Sequence, residues 1–75
     1  MSAGRIKFWN DEKRFGFIRP DEGPPDLFFH ANEVLDREAG IIHGDRVIFS
    51  VRASERKPGS YEAFDVAPED PLRHA

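Results

Sequence analysis

The 75-residue chain reads as one all-β domain, a small closed or nearly closed barrel of five short strands. Three observations predict this. Alternating apolar and polar residues recur in short stretches, polar turns rich in Gly, Pro and Asp separate them, and only one window has helical character. A chain of this length has room for a single domain.

The first strand is read from Arg5 to Phe8, where apolar and basic residues alternate. Asn10 to Lys13 is a polar turn, and Phe15 to Arg19 is a second strand, stopped by Pro20 and the turn-forming run Asp21 to Asp26. Leu27 to His30 makes the third strand. Asn32 is placed to cap a single helical turn through Glu33, Val34 and Leu35, with Gly40 as its stop. Asp45 to Ala53 is the fourth and longest strand, with Val47, Phe49 and Val51 on one face and Arg46, Ser50 and Arg52 on the other. Lys57 to Ser60 turns the chain into a fifth strand, Tyr61 to Ala67. The barrel is thus expected over residues 4–67, with 68–75 a polar, frayed tail.

Composition narrows the function. Cysteine is absent, which excludes disulfides, thiol nucleophiles and Cys-based metal sites. No apolar run approaches the roughly 18 residues of a membrane span, and no secretory leader is evident, so a cytoplasmic protein is expected. The net charge of −3 argues weakly against a nucleic-acid partner, but it is unevenly spread. Met1 to Arg19 holds five basic residues and two acids; Pro20 to Asp45 holds seven acids and only Arg37 as a base. Six of the nine aromatic residues fall between Phe8 and Phe29, largely in the basic third, leaving an acidic middle expected to lie in loops away from them.

Alternation assigns the rings to faces. Phe15 and Phe17 share one face of the second strand, opposite Gly16 and Ile18; Phe28 and His30 share one face of the third, opposite Leu27 and Phe29. A Leu–Phe face suits a core, whereas a His beside a Phe suits a surface. Phe15, Phe17, Phe28 and His30 are therefore expected together on an exposed sheet face, with Gly16 keeping the backbone between the rings open. With Ile6 in the core, the same alternation buries Phe8 and adds Lys7 and Trp9 to the exposed face. The opposite assignment, with Phe15 and Phe17 in the core, is the commoner one for an arbitrary β chain. Flanking Lys13, Arg14 and Arg19, together with an alternate aliphatic set able to fill a core, turn the balance toward exposure. Flat rings interleaved with cations are what single-stranded nucleic acid requires, because bases stack on rings while Lys and Arg track phosphates.

These segments resemble the bacterial cold-shock domain family. Lys13 to Ile18 is similar to its first ribonucleoprotein motif, Lys-Gly-Phe-Gly-Phe-Ile, and Asp26 to His30 to its second, Asp-Val-Phe-Val-His. Gly4 to Asn10 resembles its opening strand, Gly-x-Val-Lys-Trp-Phe-Asn, and Gly44 to Val47 and Ala63 to Val66 also fit. The resemblance implies a five-stranded antiparallel OB-type barrel that binds single-stranded RNA or DNA on strands one to three. Carried over by position, it implies nucleic-acid contacts at Lys7, Phe8 or Trp9, Lys13, Phe15, Phe17, Phe28 and His30. Asp26 matches a base-bonding position, and Arg56 a basic contact for which Lys57 is the substitute. There are departures. The Trp-Phe pair is inverted to Phe8-Trp9, and alternation favours Trp9 as the presented ring. Arg14 stands where the family has Gly, Ala31 replaces a platform Phe, and the stretch from Leu35 to Gly44 lacks an aromatic. A smaller platform and weaker or shorter-footprint binding are expected.

Other chemistry finds little support. His30, two residues from Phe28, is another stacking ring rather than a catalytic base, and His43 and His74 are expected to be solvated. Asp21, Glu22 and Asp26 lack the oxygen-rich twelve-residue loop of a calcium site. The expected protein is a non-catalytic, cofactor-free binder of single-stranded nucleic acid, an RNA chaperone or a regulator of transcription or translation. It is expected to be a monomer, with a domain-swapped dimer as the other state. The alternative is a barrel that docks a protein partner through the same aromatic face.

Overall fold

The computed structural model describes residues 1–35 and 45–69. Strands β1 (Ser2–Asn10), β2 (Phe15–Pro20), β3 (Leu27–His30), β4 (Arg46–Ala53) and β5 (Tyr61–Pro68) close into a barrel in the order β1-β2-β3-β5-β4. Every adjacent pair is antiparallel except β3 and β5, which run parallel at Phe28 and Glu62. Closure pairs each strand with a neighbour on both sides over at least part of its length. Glu69 continues past β5, its N–H donating to the Arg46 carbonyl at 3.1 Å.

The interior follows the alternation that the aliphatic residues impose. Ile6, Ile18, Phe29, Val47, Phe49 and Val66 are each at most 1% exposed, and Leu27, Val34 and Ala63 complete the cluster. Val51 shares the Val47 side of β4 but is 42% exposed, so the core does not extend that far along the strand.

Two bulges interrupt the alternation, and the first overturns an expectation. Ile6 pairs with Ile18, but Phe8 rather than Lys7 pairs with Phe17, so β1 carries one extra residue there. A bulge of this kind shifts every following side chain to the opposite face. Phe8 therefore points outward and is 44% exposed, while Trp9 turns inward and packs against the core cluster. The second bulge lies in β5, where the register with β4 shifts between Ile48 and Ser50. Asp65 sits there with φ of 51°, and the buried positions jump from Ala63 to Val66.

Gly16 also acts on the inner side rather than between the exposed rings. It pairs with Trp9 on β1 and with Phe29 on β3, and the two rings meet across its bare backbone, stacked at 5.7 Å. A Cβ at Gly16 would lie 2.5 Å from the Phe8 carbonyl oxygen and 2.9 Å from the Phe29 ring. The helical turn begins earlier than its sequence suggests: a 3-10 turn spans Ala31–Glu33, and its cap is His30, whose Nδ1 accepts from the Asn32 N–H at 3.0 Å. Asn32 is displaced from the cap because the chain leaves β3 directly at His30. Gly40, which was expected to end the turn, lies outside the described residues, as do His43 and His74.

Gly16→Ala should destabilise the barrel by about 1–3 kcal/mol through overpacking. Urea titration followed by Trp9 emission checks this, and an unchanged midpoint would show that the approach of Trp9 to Phe29 tolerates a methyl group.

Candidate nucleic-acid interface

The registers place the outward side chains in three rows that run across the strands. The middle row is Phe8 on β1, Phe17 on β2, Phe28 on β3 and Glu62 on β5. Toward the β1–β2 turn lies Asn10, Phe15 and His30. On the other side Arg46, Arg5 and Arg19 face one another across β4, β1 and β2.

Four phenylalanines fuse into one surface. Phe15 stacks on Phe28 at 5.6 Å, and Phe17 meets Phe28 edge-on at 5.9 Å and Phe15 edge-on at 6.0 Å. Phe8 joins at 5.8 Å from Phe15 and 6.2 Å from Phe17. Phe15, Phe17, Phe28 and His30 are half-buried, because neighbouring rings cover one another while each keeps a face or edge in solvent. Offset and edge-on contacts suit the ring quadrupoles and hold the platform without a covering element. The Asn32 bond requires a bare His30 Nδ1, which puts the neutral ring's proton on Nε2 and fixes the imidazole plane beside Phe15.

The β1–β2 turn is tied by Asn10. Its carbonyl accepts from the Arg14 N–H at 2.8 Å, and its side-chain oxygen accepts from the Lys13 N–H at 2.9 Å. Arg14 occupies the left-handed region at φ 62°, the conformation that Gly adopts freely. Its guanidinium bonds Asp11 at 3.1 Å and lies 5.9 Å from the Trp9 ring centre. Trp9 is thus held between Phe29 and Arg14, away from the phenylalanine surface.

The acids of the middle segment do not stand apart from the basic residues, as their loop positions suggested. Asp26 bonds Arg19 at 2.7 Å and Lys7 at 3.1 Å; Asp21 accepts from the two terminal Arg46 guanidinium nitrogens at 2.6 and 2.7 Å. Like charges placed opposite one another across strands are destabilising, so the arginine row recruits these carboxylates. Glu69 adds a second partner for Arg46 at 2.8 Å, and Glu33 and Glu62 flank Arg52 at 3.0 and 2.9 Å. Hydrogen bonds from Arg46 hold the Asp21 carboxyl below the usual carboxylate range against a smaller loss of solvation. For Asp26, lost solvation is the largest single effect and pushes the carboxyl up, but the bonds from Lys7 and Arg19 together outweigh it and leave it lowered.

Cations without a carboxylate partner among the described residues include Lys13 and Lys57. Arg56 lies 5.3 Å over the Phe28 ring, at the mouth of a groove of about 520 Å³ between Phe28, His30, Arg52 and Glu62. Arg52 and Glu62 escaped the sequence reading because their approach to Phe28 depends on the parallel β3–β5 pairing, which leaves no short-range pattern. Among the described residues no group of three or more His, Asp or Glu is placed to hold a metal ion.

Comparison with known proteins matches this geometry. Residues 2–67 match the 'Cold-shock' DNA-binding domain model. The chain is 39% identical over 54 residues to the cold shock protein CspA of Rhizobium meliloti, covering 68% of this chain and 75% of that protein. It is 34% identical over 59 residues to the cold shock-like protein CspG of Escherichia coli K12, covering 77% and 84%. Among solved structures, drosophila Unr CSD456 superposes with a TM-score of 0.76 at 33% identity, over 93% of this chain and 27% of that one.

The lowered carboxyls fix a direction for acid unfolding. Asp21 and Asp26 release protons more readily folded than unfolded, where an Asp has a pKa of about 3.9. The stability they contribute is complete above that value and is lost as pH falls through the lowered folded-state values. Urea midpoints measured from roughly pH 5 down to 2 should fall less steeply in Asp21→Asn than in the wild type. Parallel curves would remove Asp21 as a source of acid sensitivity.

Proposed function

The chain belongs to the cold-shock domain family, a family of nucleic-acid-binding proteins rather than enzymes, and from that premise we propose that it binds single-stranded RNA or DNA by stacking bases on its phenylalanine surface. The observation that carries this reading is the contiguous outward cluster of Phe8, Phe15, Phe17 and Phe28. Apolar rings left at a surface cost a small barrel core material, and a base face is the partner that recovers it. His30 extends the cluster along its row, while Lys7, Lys13 and Arg56 lie at its borders to take phosphates. Trp9 contributes by holding the strand in place from beneath.

Only an unpaired strand exposes its base faces, so binding keeps a strand open by mass action and needs no nucleotide hydrolysis. In the cytoplasm, as a monomer, such a protein serves as an RNA chaperone or as a regulator of transcription or translation. About three phosphate contacts imply a slope of log affinity against log salt near −2. Salt-insensitive stacking supplies the rest.

Phe8→Ala and Phe28→Ala should each weaken binding of fluorescein-labelled oligo-dT or oligo-U by about 1–3 kcal/mol, with the fold retained by circular dichroism. Anisotropy of the labelled strand is the appropriate signal, since Trp9 lies beneath the surface rather than on it. A folded Phe8→Ala, Phe28→Ala double variant with wild-type affinity would refute stacking and favour docking of a protein on this face.

A further inference from the structure

The row beside the rings is chemically different from them. Arg5 and Arg19 are paired across β1 and β2 on the outward face, next to the buried Ile6–Ile18 pair, and Arg19 lies two residues beyond Phe17. At about 3.4 Å per residue, Arg19 follows Phe17 along β2 by roughly 7 Å, within one side chain's reach of a strand lying on the rings. The bulge turns Lys7 toward the same region, where its ammonium reaches the carboxylate that also holds Arg19. The third arginine of the row, Arg46, is fully engaged by Asp21 and Glu69 and closes the row from behind.

Asp26 is the informative member. One of its oxygens takes Arg19 Nε at 2.7 Å and the other takes Lys7 Nζ at 3.1 Å, so a single tetra-acceptor anion bridges two cations from different strands. A phosphate diester presents the same pair of anionic oxygens. The two cations are the exposed members of these pairs, Lys7 at 54% and Arg19 at 45% against 27% for Asp26, so their outer sides are open to a second anion.

We infer that Arg5, Lys7 and Arg19 form a phosphate track that extends the ring surface along β1 and β2, and that Asp26 occupies this track in the free protein and is displaced by the nucleic-acid backbone. The inference rests on the stacking reading above and adds to it a direction for the strand and an internal competitor. Asp26 then opposes binding rather than contributing a base contact. A strand long enough to cover both rings and track releases Asp26, whereas a short one sits on the rings alone.

The test uses labelled dT4 and dT8 with the full chain across a salt series. Arg5→Ala combined with Arg19→Ala should leave dT4 affinity unchanged and make the dT8 salt slope shallower by about 1.4, at about 0.7 per lost phosphate contact. Asp26→Ala should raise dT8 affinity about two- to fivefold at low salt, the worth of an exposed ion pair, without changing dT4. An unchanged dT8 slope in the double arginine variant, or weaker dT8 binding in Asp26→Ala, overturns the track while leaving stacking intact. Failure of the wild type to bind either strand overturns both. The two variants act in opposite directions, so a general loss of folding cannot imitate the expected pair of results.

Discussion

The extra residue at Lys7 is the constraint on which the rest of this surface depends. With unbroken alternation, Trp9 would face solvent and Phe8 the core, as a plain reading of β1 requires. The bulge reverses both at once. Phe8 is delivered to the ring surface beside Phe17, Trp9 is delivered to Phe29, and Lys7 swings toward Asp26. One inserted residue thereby builds the outer platform, its inner support and the border of the cationic row. Gly16 makes the arrangement possible, since any side chain there would occupy the space where Trp9 and Phe29 meet.

The charge distribution is best understood from the same registers. The chain carries a net charge of −3, yet three arginines face one another across adjacent strands. Repulsion along that row is relieved by Asp21, Asp26 and Glu69, which come from the β2–β3 connection and the end of β5. The result is a local field close to neutral, with short-range ion pairs rather than a broad positive potential. Long-range steering of a polyanion is therefore weak, because exposed pairs are screened beyond about 8 Å at physiological salt. Affinity in such a surface comes from contact, which makes ring geometry rather than net charge the decisive quantity.

Much of this was legible in the sequence, for identifiable reasons. Strands β2 and β3 alternate without interruption, so the outward placement of Phe15, Phe17, Phe28 and His30 follows from period two alone. The core residues Ile6, Ile18, Val47 and Phe49 follow from the same rule. What alternation could not supply was the phase after a bulge, because an inserted residue leaves no mark in a hydrophobic pattern where a Phe and a Trp stand side by side. Equally invisible were the partners of Asp21 and Asp26, which depend on strands brought together by barrel closure. His30 displaced Asn32 as the cap because the turn starts at Ala31, which puts the N–H to be capped at Asn32 itself, within reach of the His30 ring nitrogen.

Arg14 shows how an unfavourable local choice can be held in place by its surroundings. A non-Gly residue in the left-handed region costs about 1–2 kcal/mol. Its exposed pairing with Asp11 returns about 0.2–1 kcal/mol, and its position near Trp9 about 0.5–1 kcal/mol. The backbone bonds of the turn, from Arg14 N–H to Asn10 and from Ala31 N–H to the Arg14 carbonyl, would form equally with Gly and so cannot favour Arg. Locally the choice roughly breaks even, so its consequence lies in what the side chain covers. Trp9 faces Phe29 on one side and would otherwise open to solvent at the β1–β2 turn, where the guanidinium now lies. With Trp9 inside rather than outside, the inner layer carries the larger ring and needs a lid at that end. Arg14 is that lid, and the strained turn is the geometry that brings it over the indole.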